Sequence, residues 1–140
     1  PSNGTTLLVK VHPREKQSDL ENIAAGSTID IKFDGSYNVR HAILASDLII
    51  SPFSTVLYES SLLDKPSLSL QPGLTKEDML PTNLWHITYP IYKREEIKPT
   101  LERAIHDSEF QGLLKSQRDK FSVEPNSTQR VVDLVYSMLS

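Results

Sequence analysis

Residues 45–72 read Ala-Ser-Asp-Leu-Ile-Ile-Ser-Pro-Phe-Ser-Thr-Val-Leu-Tyr-Glu-Ser-Ser-Leu-Leu-Asp-Lys-Pro-Ser-Leu-Ser-Leu-Gln-Pro, and the way this stretch divides decides the fold. The apolar run at residues 48–50 is short, branched and bounded by turn residues, which predicts a buried strand. A turn follows at Ser51, Pro52 and Phe53. Ser54 and Thr55 then stand where a helix N-cap belongs, ahead of a helical run over residues 56–63. Asp64, Lys65 and Pro66 break that helix, and residues 67–70 form a second apolar strand. The unit is strand, helix, strand. Its strand-to-helix turn offers hydroxyls and N–H groups to an anion, because the first N–H groups of a helix lack internal partners and the helix dipole is positive there.

Working outward, the same alternation continues in both directions. Residues 5–11 predict a strand, left through the turn His12, Pro13, Arg14, Glu15. A helix is expected over residues 18–24, capped by Ser18 or Asp19 and stopped at Gly26. Residues 28–33 predict a strand closed by Asp34 and Gly35, and residues 38–45 a helix with Val39, Ala42 and Ile43 at core spacing. Beyond the central unit, Pro72 and Gly73 open a loop expected to be only partly ordered, and a last strand falls within residues 86–92. The C-terminal third reads as helices at 94–106, 107–121 and 127–139, the last after a break at Glu124, Pro125 and Asn126. In that last helix Val131, Leu134, Val135, Met138 and Leu139 make an apolar stripe.

Alternating strands and helices predict an α/β fold, a Rossmann-like parallel sheet covered on both faces, with the C-terminal helices packing back on it. In such a sheet ligands bind beyond the carboxyl ends of the strands. His12 follows the first strand, Asp34 and Gly35 the second, residues 51–55 the third, and Gln71, Pro72 and Gly73 the fourth. Rossmann order places a central strand between residues 5–11 and 48–50, and no segment of this chain reads as that strand. It is expected upstream of Pro1. The opening Pro-Ser-Asn-Gly, without methionine, likewise reads as part of a longer polypeptide.

Composition bounds the function. The 140 residues are 38% hydrophobic and 24% charged, enough for one domain with a real core. A net charge of −3 gives no basic footprint for nucleic acid. Cysteine is absent, which excludes disulfides and thiolate metal sites and fits a reducing compartment. No apolar run reaches the roughly 20 residues that span a bilayer. His41, His86 and His106 are scattered without metal spacing and read as structural, and Trp85 and Tyr89 read as packing residues.

Two motifs carry a resemblance. Val-Lys-Val-His-Pro-Arg-Glu at residues 9–15, followed by Ala-Ser-Asp-Leu-Ile-Ile-Ser at 45–51 and Ser-Thr-Val-Leu-Tyr-Glu-Ser at 54–60, resembles the C-terminal half of a GT-B glycosyltransferase. The chain is similar in particular to the bacterial groups that make capsule, lipo-oligosaccharide or teichoic-acid-like polymers, sialyltransferases and polysialyltransferases among them, whose His-Pro and Ser-Ser/Thr motifs hold the donor nucleotide. The segment from residue 90 to 121 resembles the part of those proteins in which helices pack back after the donor site.

The resemblance implies a single Rossmann-like domain over residues 1–140 that binds a nucleotide sugar (CMP-, UDP- or similar). An N-terminal domain outside this chain would then bind the glycan acceptor. His12, in its His12-Pro13 motif, would be the catalytic residue, giving a hydrogen bond or proton to the donor phosphate. Ser54 and Thr55 would hold the same phosphate, and Glu59, one turn later on the same helix face, would accept from ribose hydroxyls. Donors of this kind stabilise the charge that gathers on a departing phosphate. The scheme requires no metal or other cofactor, and no Asp-x-Asp pair is present. It also implies a cytoplasmic domain, held at the inner membrane, if at all, through the rest of the protein. Arg14, and less strongly Lys10, are placed to meet phosphate, while backbone at Gln71 and Gly73, and around residues 34–37, is placed to meet the base.

Each residue has a plainer reading. His12 could end a strand before a turn-forming proline, Ser54 and Thr55 could be helix caps contributing about 1 kcal/mol, and Glu59 and Lys10 could be solvated. The chain as a whole could be a non-catalytic nucleotide-binding or regulatory α/β module. An epimerase of nucleotide sugars with the same fold would be expected to show paired carboxylates and arginines around the sugar, which are not evident here.

Overall fold

The computed structural model describes residues 4–35, 38–121 and 125–139. In chain order the elements are β1 (Thr6–Lys10), α1 (Gln17–Ala24), β2 (Asp30–Asp34), α2 (Val39–Ala45), β3 (Ile49–Ser51), α3 (Val56–Leu62), β4 (Ser67–Leu70), α4 (Pro81–Leu84), β5 (Tyr89–Ile91), α5 (Arg94–His106), α6 (Ser108–Asp119) and α7 (Ser127–Leu139). All strand pairing is parallel, as the alternation of strands with crossover helices requires. β1 and β2 form one ladder, from Thr6 opposite Asp30 to Lys10 opposite Asp34. The order β3-β4-β5 forms the other, with Ser51 opposite Ser69 and Ser69 opposite Pro90. Among the described residues no ladder joins the two sheets, so β1 and β3 each pair along one edge. The fold is α/β and Rossmann-like, with helices flanking open parallel sheets.

The three-stranded sheet is covered on both faces, and the period of two along its strands sorts residues between them. On one face Ile49 packs with Ile43 of α2, Leu57 of α3 and Leu80, bordered by Val39, Val56 and Leu63. On the other, Leu68 and Ile91 pack with Phe110 and Leu114 of α6, and Leu48, Ile50, Leu70, Tyr89, Ile97, Leu101 and Ala104 close around them. Tyr89 meets Phe110 edge to face at 5.0 Å, and Arg103 lies 4.3 Å over the same ring. β4 is the pivot. Its leucines serve the second face, whereas Ser67 and Ser69 turn to the first, both buried. There Ser67 shares a hydrogen bond with Thr88 of 3.3 Å, and Ser69 exchanges two with Asn83, at 2.8 and 3.0 Å. Ser60 and Ser61 of α3 are also buried, and both hydroxyls donate to the Leu57 carbonyl. The hydroxyls of Ser60, Ser61, Ser67, Ser69 and Thr88 thus each have a partner, as low dielectric demands, whereas that of buried Thr82 has none among the described residues.

Several boundaries differ from the sequence reading for local reasons. α1 starts at Gln17, and neither Ser18 nor Asp19 caps it: both lie inside its first turn, and the Gln17 amide braces that turn by donating to Glu21 at 2.7 Å. Ser27 accepts the Ile29 N–H, which holds residues 28 and 29 out of the ladder, so β2 begins at Asp30. Gly26 does end the α1 segment, at φ +87°. Asn38 caps α2 by accepting the His41 N–H at 3.2 Å. Asp107, read as the first residue of a helix, is instead the N-cap between α5 and α6; it accepts from the N–H groups of Glu109 and Phe110. The apolar stripe of α7 is present, but no residue of that helix is buried. Glu124 of the expected break lies outside the described residues.

The loop after β4 is held at its start and again at Asp78. Leu74 N–H donates to the Gln71 carbonyl at 3.1 Å, with Pro72 and then Gly73 (φ +83°) between them, the residue pattern of a type II turn. Gln71 and Gly73 N–H groups continue the alignment with β5 by donating to the carbonyls of Ile91 and Tyr92. Asp78 then gathers four donors: Leu80 N–H (2.9 Å), the Asn83 amide (2.6 Å), the Tyr92 hydroxyl (2.7 Å) and the Gln71 amide (3.4 Å). The contact to Leu80 launches α4, whose first residue is Pro81, a helix that the sequence reading did not anticipate.

This knot titrates. Burial works to raise the Asp78 pKa, but the hydrogen bonds from Asn83, Leu80, Tyr92 and Gln71 outweigh it and hold the carboxyl below its ordinary value. Burial, with the hydrogen bond to Asp78 and its charge, pushes the Tyr92 phenol up to about 12. A depressed carboxyl stabilises the fold above its unfolded pKa and loses that contribution as pH falls through the folded value. A raised phenol stabilises below its unfolded pKa and loses that contribution as pH climbs through the folded one. Asp78→Asn is therefore expected to lower the urea midpoint at neutral pH, with the gap from wild type closing as the pH drops below about 4. A gap that is constant with pH would show that the charge of Asp78 is not what holds the knot. In the core, Phe110→Ala is expected to cost about 3–5 kcal/mol in the same urea titration, and a loss below 1 kcal/mol would mean that α6 does not anchor the second face.

Candidate functional site

The His12 turn is built by its own backbone. Val11 N–H extends the ladder to the Asp34 carbonyl at 3.1 Å, and the chain then turns, with Glu15 N–H donating to the His12 carbonyl at 2.9 Å and His12 N–H to the Glu15 carboxylate at 3.2 Å. Pro13, lacking an N–H, leaves no donor unsatisfied in this exposed bend. Arg14 N–H donates to Nδ1 of His12 at 3.1 Å. An accepting Nδ1 carries no proton, so the proton of the neutral ring sits on Nε2 and makes that atom a donor. Nε2 has no protein partner among the described residues, and the side chain is exposed. The sequence selects the residue; the turn selects the nitrogen.

The turn after β3 carries the second motif. Ser54 Oγ accepts the Val56 N–H at 3.2 Å and the Ser54 carbonyl accepts the Leu57 N–H, so Ser54 starts α3. Thr55 already has helical backbone angles, and its hydroxyl makes no capping bond. The cap role therefore belongs to Ser54, and Thr55 keeps an exposed hydroxyl at the same bend. Glu59 lies one turn on, half-buried, with its N–H donating to the Thr55 carbonyl at 2.9 Å.

The register of β3 and β4 brings this turn beside Gln71 and Gly73. Ser51 lies opposite Ser69, so both segments leave adjacent parallel strands at the same end, and neighbouring strands are about 4.8 Å apart. Ser54, Thr55, Gln71 and Gly73 thus share one edge of one sheet. The Gln71 amide points to Asp78, and Gly73 is exposed at its turn. The His12 turn leaves the carboxyl end of β1, in the other sheet. No hydrogen bond, ion pair or ring contact joins His12 or Arg14 to Ser54, Thr55 or Glu59 among the described residues. Arg14 is exposed, with no ion pair there either. Lys10 departs from the solvated reading: its ammonium donates to the Asp34 carbonyl at 3.3 Å and ties β1 to the end of β2. Of the bend at residues 34–37, Ser36 and Tyr37 lie outside the described residues.

Asp78, Asn83 and Tyr92 were not singled out from the sequence. The one signal for them was Asp78-Met79-Leu80-Pro81, an aspartate two residues before a backbone donor and a proline opening a helix. Trp85 and Tyr89 sit against other rings, Trp85 with Tyr58 at 6.4 Å and Tyr89 with Phe110. Among the described residues no group of three or more histidine, aspartate or glutamate side chains is gathered to hold a metal ion. No described helix is long and apolar enough to cross a membrane.

Residues 2–137 match the family described as CDP-Glycerol:Poly(glycerophosphate) glycerophosphotransferase. The chain is 27% identical over 108 residues to the teichoic acid glycerol-phosphate primase of Staphylococcus aureus (strain NCTC 8325 / PS 47), a match covering 74% of this chain and 26% of that protein. The chain therefore spans about a quarter of the length of this curated relative. No solved structure matches it. The matching family is not one of the sialyltransferase or polysialyltransferase families to which the motifs were also likened. With the family's match running over nearly its whole length, the chain belongs to the CDP-glycerol:poly(glycerophosphate) glycerophosphotransferase family.

Proposed function

We propose that this chain is the donor-binding domain of a transferase that builds a bacterial cell-wall polymer, and that its donor is a cytidine-nucleotide-activated glycerol phosphate. The observation that carries this reading is the His12 turn, which holds Nδ1 as an acceptor and so presents Nε2–H as a donor beyond the end of β1. The family's description, which names CDP-glycerol, supports this donor over the nucleotide sugar expected from the motifs. Membership of a transferase family also favours this reading over an epimerase or a purely regulatory module.

The chemistry follows from the donor. An acceptor hydroxyl oxygen forms a bond to the phosphorus of the glycerol phosphate, the phosphoanhydride bond breaks, and CMP leaves with the electron pair. Negative charge grows on the leaving phosphate. His12 Nε2–H and the hydroxyl of Thr55 donate hydrogen bonds to it, with Ser54 holding the bend that presents Thr55. Arg14 adds positive charge beside His12. Glu59 accepts from ribose hydroxyls, and the Gln71 to Gly73 turn faces the base. The scheme uses no metal. The acceptor and the base that takes its proton belong to an N-terminal domain of a longer, two-domain GT-B protein, working on the cytoplasmic side where nucleotide-activated donors are made.

The test is transfer from CDP-glycerol by the full-length protein, with binding of CDP, CMP, UDP and GDP followed by NMR. Cytidine nucleotides are expected to shift resonances of His12, Ser54 and Thr55. His12→Ala is expected to lower kcat by about 10²- to 10³-fold, the usual loss on removing one charge-stabilising donor, with little change in stability because the side chain is exposed. Full activity in His12→Ala, or binding of UDP or GDP in preference to CDP, would overturn the assignment.

A further inference from the structure

The Asp78 carboxylate accepts four hydrogen bonds, and its partners come from the elements around the turn after β4. Leu80 and Asn83 belong to the start of α4, Tyr92 follows β5, and Gln71 follows β4. Asn83 carries the contact inward, since its amide also bonds Ser69 in the middle of the sheet. The turn itself is exposed at Pro72, Gly73 and Leu74, and little apolar burial holds it. What fixes it are the backbone bonds to Ile91 and Tyr92 and the grip of Asp78. The register of Ser51 with Ser69 sets this turn beside the Ser54 and Thr55 bend.

We infer that Asp78 is a positioning residue of the donor site: by holding Gln71 and Tyr92 together, it fixes the Gln71 to Leu74 turn as the rim against which the nucleoside part of the donor rests. This rests on the donor-site reading above and extends it to residues that do not themselves touch phosphate. A rim acts on the nucleoside, which is bound equally in the ground state and the transition state. Loosening it therefore weakens donor binding without slowing the chemical step. The carboxylate is essential to the arrangement because its three side-chain partners all donate, and an amide at this position would turn an N–H toward at least one of them.

Tyr92→Phe removes one donor at an exposed edge, and Asp78→Asn removes the acceptor for more than one. In full-length protein assayed with CDP-glycerol, Tyr92→Phe is expected to raise the donor KM about tenfold, the equivalent of one lost hydrogen bond, with kcat changed less than about twofold. Asp78→Asn is expected to raise it further, and Asp78→Glu to recover part of the loss. Should Asp78→Asn fail to fold, Tyr92→Phe alone decides, because it leaves Asp78 bonded to Leu80 and Asn83. A wild-type donor KM in Tyr92→Phe, or an equal fall in kcat and kcat/KM, overturns the inference while wild-type saturation by CDP-glycerol keeps the donor-site reading intact. Absence of saturation in the wild type overturns both.

Discussion

The structure depends on β4 having two different faces. Leu68 and Leu70 turn to the helices that follow β5, and Ser67 and Ser69 turn to the seam beside α3 and α4. A strand buried on both sides is ordinarily apolar throughout. Here small hydroxyl side chains meet Thr88 and Asn83, with buried Ser60 and Ser61 on α3 nearby. Because each polar atom in such a setting needs a partner, the seam specifies its neighbours far more narrowly than leucine against leucine would. The Asn83 amide nitrogen donates both to Ser69 and to Asp78, so the order of the core continues to the surface at the carboxyl end of the sheet.

That continuity reaches the edge proposed to hold the donor. Turns at the ends of parallel strands are exposed and would otherwise be free to move. The turn after β3 is held by Ser54, which caps α3 and leaves the Thr55 hydroxyl uncommitted to the helix. The turn after β4 is held by Asp78, and the turn after β1 by the reciprocal bonds between His12 and Glu15. In all three cases polar bonds within or beside the bend do the holding, and the residues proposed to meet the donor stay exposed or half-buried. A phosphate-binding edge needs this combination, since oriented donors stabilise developing charge only if they do not have to reorganise to do so.

The residues of the proposed site are divided between the two sheets. Ser54, Thr55, Gln71 and Gly73 share the three-stranded sheet, and His12 and Arg14 belong to the pair β1 and β2. A donor held by both motifs would bridge the two, with its nucleoside toward the β4 turn and its phosphate toward His12.

The sequence by itself determined the alternation of strands and helices, and with it the parallel pairing, because short branched apolar runs separated by amphipathic segments admit no simpler arrangement. It also determined which residues carry the two motifs and that they follow strands. It predicted β4 at its observed limits and α2, α3 and α5 within a residue, since the spacing of Val39, Ile43 and Leu57 and the break at Asp64, Lys65 and Pro66 are local signals. Tertiary structure alone decided the rest. The hold on the loop could not be read because one of its bonds joins Asp78 to Tyr92, 14 residues away, which reaches it only when β4 and β5 pair. The protonated nitrogen of His12 was hidden because it depends on where the Arg14 N–H points. Residue type says which groups a bend contains, whereas hydrogen-bond direction, which determines what those groups can do, follows from the path of the folded chain.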